Sequence, residues 1–143
     1  MRLLLGVFLS LLATAALGQS QVRVTNQAQY PVNSHPVTAS ATGSTGQITA
    51  TMAAVSGQTN WICGFVITSG GTSSALVVNA TITGTVTATM NYTYVFVSSG
   101  QGLLGVAFPQ CVPASATNTA ITLTVPAGGT GTTVAAEMWG FSL

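Results

Sequence analysis

The sequence predicts an all-β domain: a two-sheet antiparallel β-sandwich of about eight strands with a jelly-roll-like arrangement. Three observations predict this fold. Stretches in which apolar residues occupy alternate positions recur from Ile48 to the C-terminus, and no segment after the first 18 residues shows the apolar period of a helix. Segments rich in Gly, Ser and Pro separate the alternating runs. Many short strands joined in this way are typical of a sandwich.

The N-terminus has the layout of a secretory signal peptide, residues 1–18. Arg2 precedes an apolar run, and Ala16 and Gly18 occupy the −3 and −1 positions before Gln19. The run is shorter than the roughly 20 residues that cross a bilayer. We therefore expect cleavage before Gln19, export of the chain, and no membrane insertion after cleavage.

The mature chain divides into an arm and one domain. Residues 19–35 are polar and weakly patterned, which predicts an N-terminal arm that packs on a neighbouring copy, with a short edge strand at 22–25. Residues 36–143 are expected to form the sandwich. The segment "NWICGFVIT" is apolar on both faces, which predicts a central strand, whereas "FPQCVPASATN" predicts a loop. The predicted strands are 36–41, 46–55, 60–68, 74–83, 85–97, 103–108, 119–125 and 132–142.

Charge is nearly absent from the mature chain. Only Arg23 and Glu137 remain formally charged after cleavage, with His35 as the single histidine and no Lys or Asp. Ordinary domains carry about 25% charged residues, and their net charge keeps copies apart in solution. A chain without such repulsion is expected to associate with itself. Arg23 and Glu137 are a candidate ion pair.

The same inventory argues against several classes of function. Binding of nucleic acid requires several Lys or Arg residues against phosphates, and an amphipathic membrane-surface helix needs them too. General acid–base catalysis needs paired carboxylates or an oriented His, and a closed metal site needs about four ligands. We therefore expect no nucleic-acid partner, no enzyme activity, and no metal or other cofactor.

Cys63 and Cys111 are the only cysteines. Two cysteines in an exported chain usually pair, because the compartment is oxidising. The sequence therefore predicts a disulfide bond, and two buried free thiols are the alternative.

A ladder of threonines occupies every second position in "TITGTVTATMNYTY". A turn or bulge is expected at Gly84, because one uninterrupted strand would be unusually long. The ladder resembles the Thr-x-Thr arrays of ice-binding solenoids, although the chain has no short coil repeat. The interpretation that needs no ligand is a solvent-facing or contact face of a strand. The candidate residues are Thr81, Thr83, Thr85, Thr87 and Thr89.

Aromatic residues form the other candidate site. Tyr92 and Tyr94 lie on the apolar side of their strand, which predicts core positions. Trp61, Trp139 and Phe141 are expected in the core or in a subunit contact. The alternative is a platform on which a sugar ring stacks.

Three segments carry a resemblance to known proteins: "WICGFVITSGGTSSALVVNATITGT", "GLLGVAFPQCVPASATNTAITLTVPAGGTGT" and "AEMWGFSL". Over roughly residues 36–143 the chain resembles a group of small, uncharacterised proteins encoded in proteobacterial genomes and phage-related regions. The resemblance implies a virion-associated or cell-surface β-sandwich, without a role for particular residues. The signal peptide departs from phage capsid and tail proteins, which assemble in the cytoplasm, and favours an exported bacterial product.

These observations predict a non-enzymatic structural protein that is secreted to the cell surface or medium, or into the periplasm. It is expected to self-associate through neutral faces rich in Thr, Gly and Ala, forming a homo-oligomer, surface layer, filament or virion-like particle. The alternative is a secreted module that binds glycan.

Overall fold

The computed structural model describes residues 30–71, 75–98 and 100–143, which form eight strands and no helix. The all-β prediction is confirmed, and each of the eight strands predicted within 36–143 overlaps an observed one. The short edge strand predicted at 22–25 lies outside the described residues. The predicted signal peptide and residues 19–29 of the predicted arm lie outside the described residues. The strands are β1 (His35–Ser44), β2 (Ile48–Met52), β3 (Asn60–Gly70), β4 (Leu76–Thr85), β5 (Ala88–Phe96), β6 (Gln101–Pro113), β7 (Ile121–Val125) and β8 (Thr133–Ser142).

The strands pair as one long hairpin that has been rolled up. β4 pairs with β5, β3 with β6, β2 with β7 and β1 with β8, all antiparallel. Rolling brings β8 beside β3 and β7 beside β4. The result is sheet A, in the order β1-β8-β3-β6, and sheet B, in the order β2-β7-β4-β5. This order makes two Greek keys, so the predicted two-sheet sandwich has jelly-roll topology.

Alternating residues of both sheets meet in one apolar core. In β2 and β7 the apolar side chains are buried while the threonines between them face outward. Sheet A contributes a corresponding row from β3 and β8. The most completely buried large side chains are Phe65, Phe96, Met52, Ile62, Ile67, Ile82, Ile121, Leu123 and Met138. Burial of this apolar surface is the main favourable contribution to folding, and it decides which face of each strand points inward.

Two buried polar side chains connect the sheets. The Tyr94 hydroxyl in β5 donates a hydrogen bond to Ser69 Oγ in β3 over 2.6 Å. Asn60, at the start of β3, directs its Nδ2 at the carbonyl oxygens of Met52, Ala53 and Thr119, at 3.3, 2.8 and 3.2 Å. Buried polar groups are costly unless they are paired, so these bonds favour one register between the sheets.

The end of β6 differs from the sequence prediction. Residues 109–113 were predicted as part of a loop, but β6 continues to Pro113. Prolines are tolerated because β6 is an edge strand and leaves one side without a partner strand. Residues 108–111 of β6 form a bulge opposite a single residue of β3, Cys63, since Ile62 pairs with Val112 and Gly64 with Ala107.

The predicted disulfide is confirmed and closes this bulge. Cys63 and Cys111 are bonded, with their Cα atoms 4.2 Å apart. The Phe108 ring in the same bulge turns inward and lies 6.3 Å from the Phe65 ring, measured between centroids. The edge of sheet A is therefore held by a covalent bond as well as by packing.

Among the described residues there is no helix with the length and apolar character of a membrane span.

Candidate functional site

The threonine ladder is interrupted at Gly84, as predicted. Gly84 has φ +85°, and the pairing between β4 and β5 shifts register between Ile82 and Thr85. Left-handed backbone of this kind suits glycine, which has no Cβ. The shift turns Thr85 inward, where it is only 3% exposed. The prediction that Thr85 belongs to an outward contact or ligand face is therefore wrong.

Thr85 has a local structural role. Its hydroxyl donates to the carbonyl oxygen of Ala88 over 2.9 Å and lies 3.0 Å from the Thr87 hydroxyl. These contacts hold the tight connection between β4 and β5. Thr87 lies in that turn, and Thr89 is exposed at the start of β5.

The remaining threonines of the ladder align across sheet B. One rank consists of Thr49, Thr124, Thr81 and Asn91, which face one another on β2, β7, β4 and β5. A second rank consists of Thr51, Thr122 and Thr83 on β2, β7 and β4. Neighbouring strands lie about 4.8 Å apart, and alternate residues along one strand about 6.7 Å apart. The outer face of sheet B is thus a two-dimensional array of hydroxyl groups.

Four threonines and one asparagine of this array were not predicted as site residues: Thr49, Thr51, Thr122, Thr124 and Asn91. Their alternation with apolar residues indicates that they face outward. The sequence feature that could have found the threonines is the Ile-Thr-x-Thr pattern shared by β2 and β7. Alternation within one strand shows which residues face outward. It does not specify the register between strands, so it does not show that the threonines align.

One end of this face is apolar. Val77 on β4 pairs with Val95 on β5, and they are 64% and 47% exposed. Asn79 and Thr93 form the next pair and separate the valines from the threonine ranks. None of these residues is ionisable. The face therefore offers only hydroxyl, amide and aliphatic groups for contact.

The predicted aromatic residues gather on the outer face of sheet A. Trp61 and Phe141 pair between β3 and β8, and their rings are stacked with centroids 5.7 Å apart. Tyr30, in the segment before β1, packs on Phe141 at 5.6 Å. Phe141 is only 5% exposed, while both tryptophans are partly exposed. Trp61 and Trp139 were predicted in the core or in a subunit contact; the core placement is wrong, because both side chains point away from sheet B, and the subunit contact stays a prediction.

Trp139 lies next to this cluster and covers Gly64. The indole occupies the space where a side chain at Gly64 would be. Across the strands, Thr38 and Gly64 flank Trp139. The absence of a side chain on β3 thus allows the indole to settle onto the sheet.

Beyond Trp139 the outer face of sheet A is lined by small residues. Glu137 stands between Ser40 of β1 and Val66 of β3, and its side chain is exposed. Two adjacent depressions of about 450 and 250 Å³ share Thr68 and Ala135 in their lining. Glu137 lines the smaller one. A carboxylate beside hydroxyl groups can accept hydrogen bonds from a polar, uncharged ligand.

The two candidate tyrosines lie between the sheets, as predicted from their parity. Tyr94 is buried, and burial raises the pKa of its phenol although the hydrogen bond to Ser69 opposes the shift. Tyr92 packs edge-on against Phe65 at 4.8 Å, and burial also raises the pKa of this phenol. Both tyrosines therefore contribute to the core in their neutral form.

The ionisable side chains are dispersed. His35 pairs with Ser142, whereas Glu137 pairs with Ser40, so their places on β8 are five residues apart. At 3.3–3.4 Å per residue this corresponds to about 17 Å. Arg23, the predicted partner of Glu137, lies outside the described residues. Within those residues, no three His, Cys, Asp or Glu side chains form a group suited to a metal ion.

Comparison of the chain with protein-family models, curated proteins and solved structures gives no significant match.

Proposed function

We propose that this chain is an exported, non-enzymatic structural protein that self-associates through uncharged surfaces. The assembly is a homo-oligomer that builds a surface layer, a filament or a virion-like particle. The observation that carries the proposal is the composition of the outer surface of the sandwich. On the outer faces of both sheets and on all four edge strands, Glu137 is the one side chain among Lys, Arg, Asp and Glu in the described residues.

Neutral surfaces meet with less repulsion and a smaller desolvation cost than charged ones. Contact between two ordinary protein surfaces brings like charges together and removes water from charged groups, and both effects oppose association. Threonine, alanine and glycine surfaces lack these costs. Exposed aliphatic side chains add a favourable contribution, and Leu103 on β6 is 73% exposed.

Export is supported by two features of the chain. Residues 1–18 have the layout of a signal peptide. The Cys63–Cys111 disulfide is of the kind that persists in oxidising compartments. The intact mass of protein secreted from a bacterial host should correspond to a chain that begins at Gln19, and a retained leader would contradict export by this route.

Self-association is tested by size-exclusion chromatography with light scattering on the exported chain. We expect a mass above that of the monomer that rises with protein concentration. The mass should persist in roughly 1 M salt, because screening weakens charge pairs and leaves neutral contacts intact. A monomer at every concentration would refute the proposal, and dissociation by salt would refute its physical basis.

A matched pair of variants tests whether the faces are responsible. The first adds one lysine to each outer face, with Thr42→Lys and Thr83→Lys, at exposed positions. The second adds the same charge to exposed turns, with Ser56→Lys and Ala116→Lys. We expect the face variant to lower the average mass and the turn variant to leave it unchanged. Equal effects would show that net charge alone, and not the faces, controls assembly.

The second candidate function is glycan binding on the outer face of sheet A. The specific observation in its favour is that Trp61 and Trp139 are partly exposed on the same face of sheet A that carries Glu137 and the two depressions. Aromatic rings stack on sugars, and a carboxylate accepts hydrogen bonds from their hydroxyl groups. Glycan-array binding should be lost in Trp61→Ala and Trp139→Ala and kept in the opposite-face variant Thr83→Ala. A blank array removes this candidate.

A further inference from the structure

The four edge strands of the sandwich differ in how well they are protected. Edge strands present unpaired backbone N–H and C=O groups, and natural proteins block them with charge, proline, bulges or short length. β6 carries two prolines and the bulge at residues 108–111. β2 has only five residues, and β1 contains Pro36 and Gly43. Each of these edges therefore has at least one protective feature.

β5 has none of these features. It is nine residues long, from Ala88 to Phe96, without proline, glycine or a charged residue. Its pairing with β4 is regular from Leu76 opposite Phe96 to Ile82 opposite Met90. As the last strand of sheet B, it has β4 on one side, and on the other side no strand of its own sheet lies within residues 30–71, 75–98 and 100–143. Alternate residues thus direct their backbone hydrogen-bonding groups away from β4.

We propose that β5 pairs with β5 of a second copy of this chain, antiparallel across a twofold axis. The two sheets B then form one continuous sheet, with four strands from each copy. This inference rests on the proposed self-association and assigns it a specific contact. The order across the seam is β4-β5 of one copy followed by β5-β4 of the other.

The register follows from the length of the strand. Only an arrangement centred on Tyr92, the middle residue of β5, gives all nine residues a partner. Tyr92 then faces Tyr92, Asn91 faces Thr93, and Met90 faces Tyr94 across the seam. Aromatic pairs directly opposite one another are favourable in antiparallel sheets.

A second copy suits this edge because β5 is complementary to itself. A twofold contact requires one surface to match its own image. In the centred register the inward side chains of one copy meet inward side chains of the other, so the apolar side stays continuous. Met90 and Tyr92, which are half-buried in the single chain, become covered. On the outer side, Asn91 and Thr93 extend the hydroxyl array, and no like charges meet.

Cysteine cross-linking tests the register directly. Asn91→Cys and Thr93→Cys are prepared separately at exposed, outward positions, then mixed and oxidised. We expect the mixture to form a dimer with a disulfide between residues 91 and 93. Its yield should exceed the yield of dimer from either variant alone by at least tenfold. Residues opposite one another lie about 4.5–5.5 Å apart, whereas diagonal neighbours exceed the reach of a disulfide. A dimer without this preference would overturn the proposed register.

Lysine substitutions test the edge itself. Asn91→Lys with Thr93→Lys places four like charges along the seam of a β5 pair, while Ser56→Lys with Ala116→Lys places the same charge in exposed turns, away from both outer faces and from β5. We expect the β5 variant to raise the dissociation constant at least tenfold and the turn variant to leave it near the wild-type value. Circular dichroism reports whether both remain folded.

The outcomes separate this inference from the proposed function. If the wild type is a monomer, both are wrong. If the wild type associates and the β5 variant associates equally, the β5 contact is wrong while self-association stands. If the β5 variant dissociates but no 91–93 cross-link forms, the β5 edge takes part in assembly with some other surface, and pairing of β5 with itself in this register is refuted.

Discussion

Removal of the disulfide should cost the domain a large part of its stability. The change is Cys63→Ala with Cys111→Ala, and the bonded residues are separated by 48 positions. The disulfide restricts the conformations of the unfolded chain. In the chain-entropy description, loss of this restriction for a loop of this length lowers the free energy of unfolding by about 4 kcal/mol at 25 °C. For a domain of this size, such a loss lowers Tm by roughly 15–20 °C.

The position of the disulfide in the folded state gives a second reason to expect a large loss of stability. The disulfide ties the bulge of β6 to β3 at an edge of sheet A, where the strand pairing is interrupted. Cys63 is buried, so its replacement by alanine also removes apolar contacts from the folded state. This loss of packing adds to the entropic value.

Urea unfolding of the wild type and the double variant, followed by tryptophan fluorescence, measures the difference. Alkylation and intact mass of the wild type check that neither cysteine is free, and reduction of the wild type should reproduce the instability of the variant. A difference below about 1 kcal/mol with an unchanged urea dependence would refute the reasoning. It would mean that the closed loop does not restrict the unfolded chain.

Three further predictions concern the core. Tyr94→Phe leaves its buried serine partner without a donor and should cost about 1–3 kcal/mol, whereas Tyr92→Phe should cost less than about 0.5 kcal/mol because its hydroxyl meets only a methionine sulfur at 3.7 Å. Gly140→Ala brings a methyl group onto a backbone carbonyl of β3 and should cost roughly 3 kcal/mol, whereas Gly105→Ala, with open space around it, should be neutral in thermal melts. Burial raises the pKa of both phenols above the ordinary 10.0. The contribution of the neutral phenols to the free energy of unfolding should therefore be fully present below that pH and be lost as the pH rises through the folded-state pKa values. A urea midpoint that stays constant from about pH 9 to about pH 11 would contradict this.

The strands could be predicted because alternation is a local property. A strand with one face in the core must place apolar residues at every second position, and β2 and β7 do so without exception. The interruption at Gly84 could be predicted for a similar reason, since a glycine in a long alternating run marks a bulge or turn. The end of β6 could not be predicted, because Pro109 and Pro113 indicate a loop unless the strand is known to lie at an edge.

The candidate surfaces could not be predicted from single segments, because they depend on contacts between strands that are distant in the sequence. Trp139 lies outside the core although its neighbours are apolar, because Gly64 on the adjacent strand leaves space for the indole. Thr85 shares the parity of the exposed threonines, yet the register shift at Gly84 turns it inward. Neither placement follows from the residues on either side.

By itself, the sequence determined that the chain is all-β, that its cysteines are available to pair, and that almost no charge remains for contact with other molecules. These properties follow from composition and from the pattern within single strands. The tertiary structure alone decided which strands are neighbours, and with that the alignment of the threonines across sheet B, the aromatic cluster on sheet A and the unprotected edge of β5. The reason is that strand order and register arise from pairing between residues far apart in the chain, where the burial of the whole core selects one arrangement.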